Sequence, residues 1–231
     1  MWHSIRGFVR ENPHSAILLY YLFYLAGFPI LEKITVPRYI IYCPLDDMIP
    51  FCEWFLIPYA SWFVLLLGAP VYFLLTSKQD FLKVTFIMFN GMTFCLLMYL
   101  LFPNGLQLRP EITGDNLLCQ IAKVLYSIDT PTNVCPSIHV SSSVAAGIVV
   151  WRSDRLKNRH RFRILSAIWV ILICLSTLFV KQHSVIDLLC GIMVSVVLAA
   201  IAYSPWMEKH SHLSGRVTAL LCAHKKTGGS P

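Results

Sequence analysis

The chain has 231 residues, of which 56% are hydrophobic and only 13% charged, with a mean hydropathy of +0.62. Soluble domains carry about 25% charged residues, so this composition excludes an ordinary soluble domain and indicates an all-α, polytopic membrane protein. The length leaves room for one membrane domain and no separate soluble one, and the net charge of +7 reads as a topology signal, with no nucleic-acid partner implied.

Six apolar segments read as transmembrane helices. The first covers residues 15–31 and follows Arg6 and Arg10. Its exit, Phe28-Pro29-Ile30-Leu31-Glu32, lacks a small-x-small cleavage site, so it reads as an uncleaved span and not as a signal peptide. The second covers 51–75, where Pro58, Gly68 and Pro70 are expected to kink or shorten the helix. The third covers 81–102. A long polar interval follows, 103–137, holding Arg109-Pro110 and the turn-forming run Asp129-Thr130-Pro131-Thr132-Asn133. The fourth span, 139–151, is short for a hydrocarbon core about 30 Å thick, and its polar start is expected to line a cavity. The fifth and sixth, 164–180 and 185–203, are joined by four residues and are expected to form an antiparallel pair. The organisation is therefore a cytoplasmic N-terminus (1–14), a six-helix membrane domain (15–204) and a basic cytoplasmic tail (205–231).

Orientation follows from the cations. With six spans, the N-terminus, the loop near Lys78, residues 152–163 and the tail share one side and hold 14 of the 19 Lys and Arg residues against four acids. The opposite side holds five cations against eight acids. Both termini are expected in the cytoplasm, which puts Arg109, His139, His183 and Asp187 on the extracytoplasmic face of what is expected to be the plasma membrane.

Polar residues at a membrane edge are usually there for chemistry. In Lys181-Gln182-His183-Ser184-Val185-Ile186-Asp187, a helix would put His183 and Asp187 four residues apart on one face, so the carboxylate could fix the imidazole's tautomer. A second histidine follows a turn signal in Cys135-Pro136-Ser137-Ile138-His139. The plainer reading of a single membrane-edge histidine is a packed interfacial group. Two on the same face, one with a carboxylate partner, favour catalysis.

These spacings resemble the type-2 phosphatidic acid phosphatase superfamily. Pro-Ser-x-His is present at 136–139, and Ser176 to Asp187 fits the family's Ser-Arg-x(5)-His-x(3)-Asp except that Thr177 replaces the arginine. Of Lys-x(6)-Arg-Pro, Arg109-Pro110 is present while Phe102 stands at the lysine position. Cys-Pro-Ser-x-His and Lys-x-His-x(3)-Asp resemble in addition the branch with inositol-phosphorylceramide and sphingomyelin synthases. The resemblance implies a helical bundle that hydrolyses a lipid phosphate through a phosphohistidine. His183 would be the nucleophile, Asp187 its orienting group and His139 the general acid, with Arg109, Ser137 and Lys181 holding the phosphate. No metal and no cofactor are required. The alternatives are a lipid phosphotransferase of the synthase type and a membrane transporter using the histidines as a proton or ion relay, though a relay has no reason to contain Pro-Ser-x-His and Arg-Pro.

The remaining polar residues read more plainly. Cys43, Cys52, Cys119 and Cys135 fall on or near the outer face and allow three full pairings. No Cys-x(2)-Cys or His-x(3)-His pattern indicates zinc. Asp46 and Asp47 read as a solvated turn.

Overall fold

A computed structural model describes residue 7 and residues 10–207. Most of the expected N-terminal segment and the tail from residue 208 lie outside the described residues. After a 3-10 stretch at Pro13–Leu19 come α1 (Tyr20–Ile34), β1 (Tyr39–Ile40), the short α2 (Leu45–Met48), α3 (Leu56–Thr76) and α4 (Lys78–Leu101). Then follow β2 (Asn104–Gly105), α5 (Leu117–Ile128), α6 (Ile138–Arg152), α7 (His160–Phe179) and α8 (Val185–Ala202). Helices α1, α3, α4, α6, α7 and α8 fall on the six expected apolar segments. Five helical stretches, all but α6 of these six, are long and apolar enough to cross a membrane. The protein is a multi-pass, all-α membrane bundle.

Helix α6 has 15 residues, about 22 Å at 1.5 Å per residue, which is less than the hydrocarbon core. Its surroundings remove the mismatch, because α6 packs on α3, α4, α7 and α8 and buries Val140, Ala145, Ala146 and Val149 completely. Protein surrounds it where lipid would surround an outer helix. The run Ser141-Ser142-Ser143 with Ala145, Ala146 and Gly147 makes this possible, since small residues let helices approach closely in a membrane. A Cβ on Gly91 of α4 would stand 2.7 Å from Ser141 Oγ, and one on Gly191 of α8 would stand 2.8 Å from the Ser137 carbonyl oxygen. Hydroxyl and indole donors lock the contacts: Ser195 Oγ donates to the Ser141 carbonyl, and Trp62 Nε1 donates to Ser142 Oγ at 2.8 Å.

Two expectations change in detail. Helices α7 and α8 are joined by a short turn, as expected, yet each packs more extensively on α6 than on the other. Pro58 falls in the first turn of α3, where a missing N–H is tolerated, so only Pro70 lies inside that helix.

At the end of the bundle where α6 and α8 begin, β1 and β2 pair in parallel, Tyr39 with Asn104 and Ile40 with Gly105, and Gly105 bridges to Thr132. Three loops are thereby tied together. Gly105 fits because a side chain there would meet the Pro131 carbonyl oxygen at 2.7 Å.

Candidate active site

The start of α6 is held from outside the helix. Asn104 is the main clamp: its Oδ1 accepts from the backbone N–H groups of Val134 and Cys135, both at 2.9 Å, and its Nδ2 donates to the carbonyls of Phe102 and Cys135. Tyr99 donates its hydroxyl to the Pro136 carbonyl at 2.6 Å, and the Cys135-Pro136 peptide is cis. Ser137 is the N-cap, with Oγ accepting from Val140 N–H at 3.3 Å. His139 is thus fixed in the first turn. Its ring stacks on Tyr59 with centroids 4.8 Å apart and lies against Trp62 at 4.2 Å.

The start of α8 is built differently from the expected single helical face. The helix begins at Val185, so His183 lies one residue before the N-cap, Ser184. Asp187 reaches back to it: Oδ2 accepts from Ser184 N–H at 2.8 Å, as in a capping box, and stands 3.4 Å from His183 Nδ1. The preceding turn is set by the Thr177 carbonyl, which accepts from both Gln182 and His183 N–H groups, and by Lys181 at φ 56°. Thr177 is fully buried there, at the position where the family pattern has arginine.

The two helix starts meet directly. Ser137 N–H donates to the Asp187 carbonyl at 3.1 Å, and His183 Nε2 lies 3.4 Å from His139 Nδ1. His183, His139, Asp187 and Ser137 therefore form one cluster, with Asp187 and Ser137 fully buried and His183 nearly so. His183 Nδ1 is buried beside Asp187 at 3.4 Å without a hydrogen bond, and Nε2 is the nitrogen that faces His139.

The other two expected phosphate ligands are engaged elsewhere. Lys181 Nζ donates to the Asp46 carbonyl at 2.7 Å. Arg109 donates to the carbonyls of Tyr126 and Asp129 and, at 2.6 Å, to Gln182 Oε1, while its guanidinium lies over the Tyr126 ring. It stands behind Gln182, the residue before His183.

Asp46 is a correction to the solvated-turn reading. It is 2% exposed, and its carboxylate accepts from Ser184 Oγ at 2.7 Å, Val185 N–H at 2.9 Å and Cys43 N–H at 2.8 Å. Helix α2 exists to deliver this carboxylate to the N-terminus of α8, where negative charge is favoured. Asp47 next to it accepts from the exposed Tyr42 hydroxyl. Adjacent acids look alike in sequence, and only the 138-residue contact separates their roles.

A cavity of about 320 Å³ opens at the histidine pair. Its lining is polar at His139, His183, Gln182, Asn133, Glu32 and Asp129 and apolar at Tyr24, Leu25 and Phe28 of α1 and Phe63 of α3. Asn133 adopts φ 58°, as its turn reading implies, yet it is 3% exposed and neither amide atom has a hydrogen-bond partner. Gln182 Nε2 is also buried and unpaired. Asp129 lies at the same cavity, and burial pushes its carboxyl up to about 6 despite the nearby Arg109. The Cys135 thiol is pushed up by burial and by the neighbouring Asp187 and Cys190. The four outer cysteines are free thiols. Among the described residues, no group of three or more His, Cys, Asp or Glu side chains is placed to hold a metal ion.

Comparison with known proteins places this geometry. Residues 84–210 match the PAP2 superfamily, a stretch that contains α6, α8 and both histidines. The chain is also similar to sphingosine-1-phosphate phosphatase 2 of Mus musculus, at 28% identity over 74 residues. That match covers 31% of this chain and 21% of the relative's length. No solved structure matches. The family match extends over more than half of the sequence and includes the two helix starts that bring His139, His183 and Asp187 together: the chain belongs to the PAP2 superfamily.

Proposed function

We propose that the protein is a lipid-phosphate phosphatase acting at the extracytoplasmic membrane face, with His183 as the nucleophile. The observation that carries this reading is the cluster of His183, His139 and Asp187, whose two histidines line an amphipathic cavity. The Nε2 lone pair of His183 attacks phosphorus as the phosphorus–lipid oxygen bond breaks, and His139 gives its proton to the departing alkoxide. Water then attacks phosphorus, its proton passes to His139, and the nitrogen–phosphorus bond breaks to release phosphate. Asp187 stabilises the imidazolium of the intermediate and keeps the tautomer fixed.

The nitrogens of the two histidines touch at 3.4 Å. A nucleophile and phosphorus stand about 3–3.5 Å apart before reaction, with the leaving oxygen beyond. Substrate therefore replaces the imidazole–imidazole contact.

The test is release of inorganic phosphate from phosphatidic acid by the purified protein. His183→Ala and His139→Ala should each lower turnover by at least about a hundredfold. Near-normal turnover in His183→Ala would refute the mechanism, and transfer of labelled phosphate mainly to added diacylglycerol or ceramide would make the protein a transferase. EDTA should leave the rate unchanged, because no step calls on a metal.

A further inference from the structure

The charge around the cavity is unusual for a phosphate site. Among the described residues that line it there is no Lys or Arg, while two carboxylates, Glu32 and Asp129, are present. The position of the family's lysine is Phe102 and that of its arginine is Thr177; Lys181 is committed to a carbonyl oxygen, and Arg109 to carbonyl oxygens, Gln182 and an ion pair with Asp129 at 3.9 Å, which leaves Glu32 as the carboxylate with no cation beside it among the cavity's described lining residues. A dianionic phosphomonoester entering alone would meet like charge in a partly desolvated space, which is costly.

Two further features say what would offset this. Tyr24, Phe28 and Glu32 all line the cavity and follow one another at intervals of four, so they share one face of α1. Aromatic faces beside a carboxylate suit an organic cation. Glu32 accepts two hydrogen bonds at one oxygen, Oε1, from Thr130 N–H and Oγ1. Beside His183 and His139 in the same lining, the unpaired side-chain amides of Asn133 and Gln182 can donate to phosphoryl oxygens.

Building on the phosphatase reading, we propose that the cavity recognises a zwitterionic headgroup, a phosphate ester with a protonated amine beside it. The ammonium sits between Glu32, Asp129 and the rings of Tyr24 and Phe28. The phosphoryl group sits against Asn133, Gln182 and His183. The amine supplies Glu32 with the positive charge that the cavity's described lining residues do not.

The experiment compares kcat/KM of the full-length protein for sphingosine 1-phosphate and for its N-acetyl derivative, which differ in the amine's charge. The amine should be preferred by about tenfold or more, the scale of one charge-assisted hydrogen bond. Glu32→Gln keeps an oxygen for Thr130 and should reduce that preference severalfold. Equal kcat/KM for the two substrates in the unmodified protein would overturn the inference, as would a preference unchanged by Glu32→Gln. Phosphate release from phosphatidic acid in either of those cases would leave the phosphatase reading intact. Release from none of the three lipids would remove that reading and this one with it.

Discussion

At the residue scale, the site depends on polar groups far apart in sequence. Asp46 satisfies Ser184 and Val185 at the start of α8 and offers its carbonyl to Lys181. Asp46→Ala would leave buried donors unpaired, so it should lower stability by about 2–4 kcal/mol and reduce activity with it. Asp47→Ala should stay within about 0.5 kcal/mol; thermal unfolding of the two variants in one detergent checks the contrast. Asp129 gives a pH prediction. Its folded value of about 6 lies above the ordinary 3.8, so the fold favours the protonated form. Below pH about 3 the carboxyl is neutral in both states and costs nothing. As pH rises from about 3 through 6, the unfolded chain loses the proton first and stability falls. Asp129→Asn should therefore unfold at a higher temperature than the parent at pH 7, an advantage that shrinks as the pH is lowered to about 4 and vanishes near pH 3. The histidines, Asp187, Ser137 and Arg109 could be singled out from sequence because their spacing is local. Asp46, Gln182 and Asn104 could not, because each acts through a contact whose partner is set by the fold.

At the element scale, the proposed catalysis requires two helix starts in register. Gly191 sets how closely α8 approaches the first turn of α6, with the Ser137 carbonyl oxygen 2.8 Å, Val140 Cβ 3.1 Å and Ser141 N 3.3 Å from where a Cβ would stand. Gly191→Ala must move backbone that carries His139 relative to His183. A misplacement of about 1 Å can cost a hundredfold in rate, so kcat should fall at least about tenfold. Gly68→Ala meets nothing within 4 Å and should leave kcat within about twofold, which separates a local clash from a general effect of alanine in a span. The apolar spans were legible because hydropathy alone marks them. Helix α5 was not, because its interval was read as polar connection. Its signal was present: Leu117, Ile121, Val124 and Ile128 recur at helical spacing and are exposed on one face, as in a helix lying at a membrane surface. The packing of α7 on α8 was overestimated because a short connection says nothing of a third helix on which both pack.

At the scale of the whole molecule, the segment 152–163 and the site lie at opposite ends of α6, since Arg152 ends the helix that Ser137 caps. The charge asymmetry predicts that the Arg152 end is cytoplasmic, and the proposed function needs the histidines to face the outside. Asn104, although in the outer loop, is 3% exposed and clamps Cys135, so a cysteine there would disturb the site. Asp115 is exposed in the same outer interval, and Asn158 is exposed in the loop between α6 and α7. In a background without native cysteines, Asp115→Cys should react with a membrane-impermeant maleimide in intact cells, while Asn158→Cys should react only after permeabilisation. The reverse pattern would place the histidines in the cytoplasm and require substrate from the inner leaflet. Labelling of both in intact cells would mean an odd number of crossings between the two positions is absent, and α6 could not be a span. Because α6 is about 22 Å long and enclosed by its neighbours, this pair of cysteines tests the one crossing that hydropathy and length leave weakest.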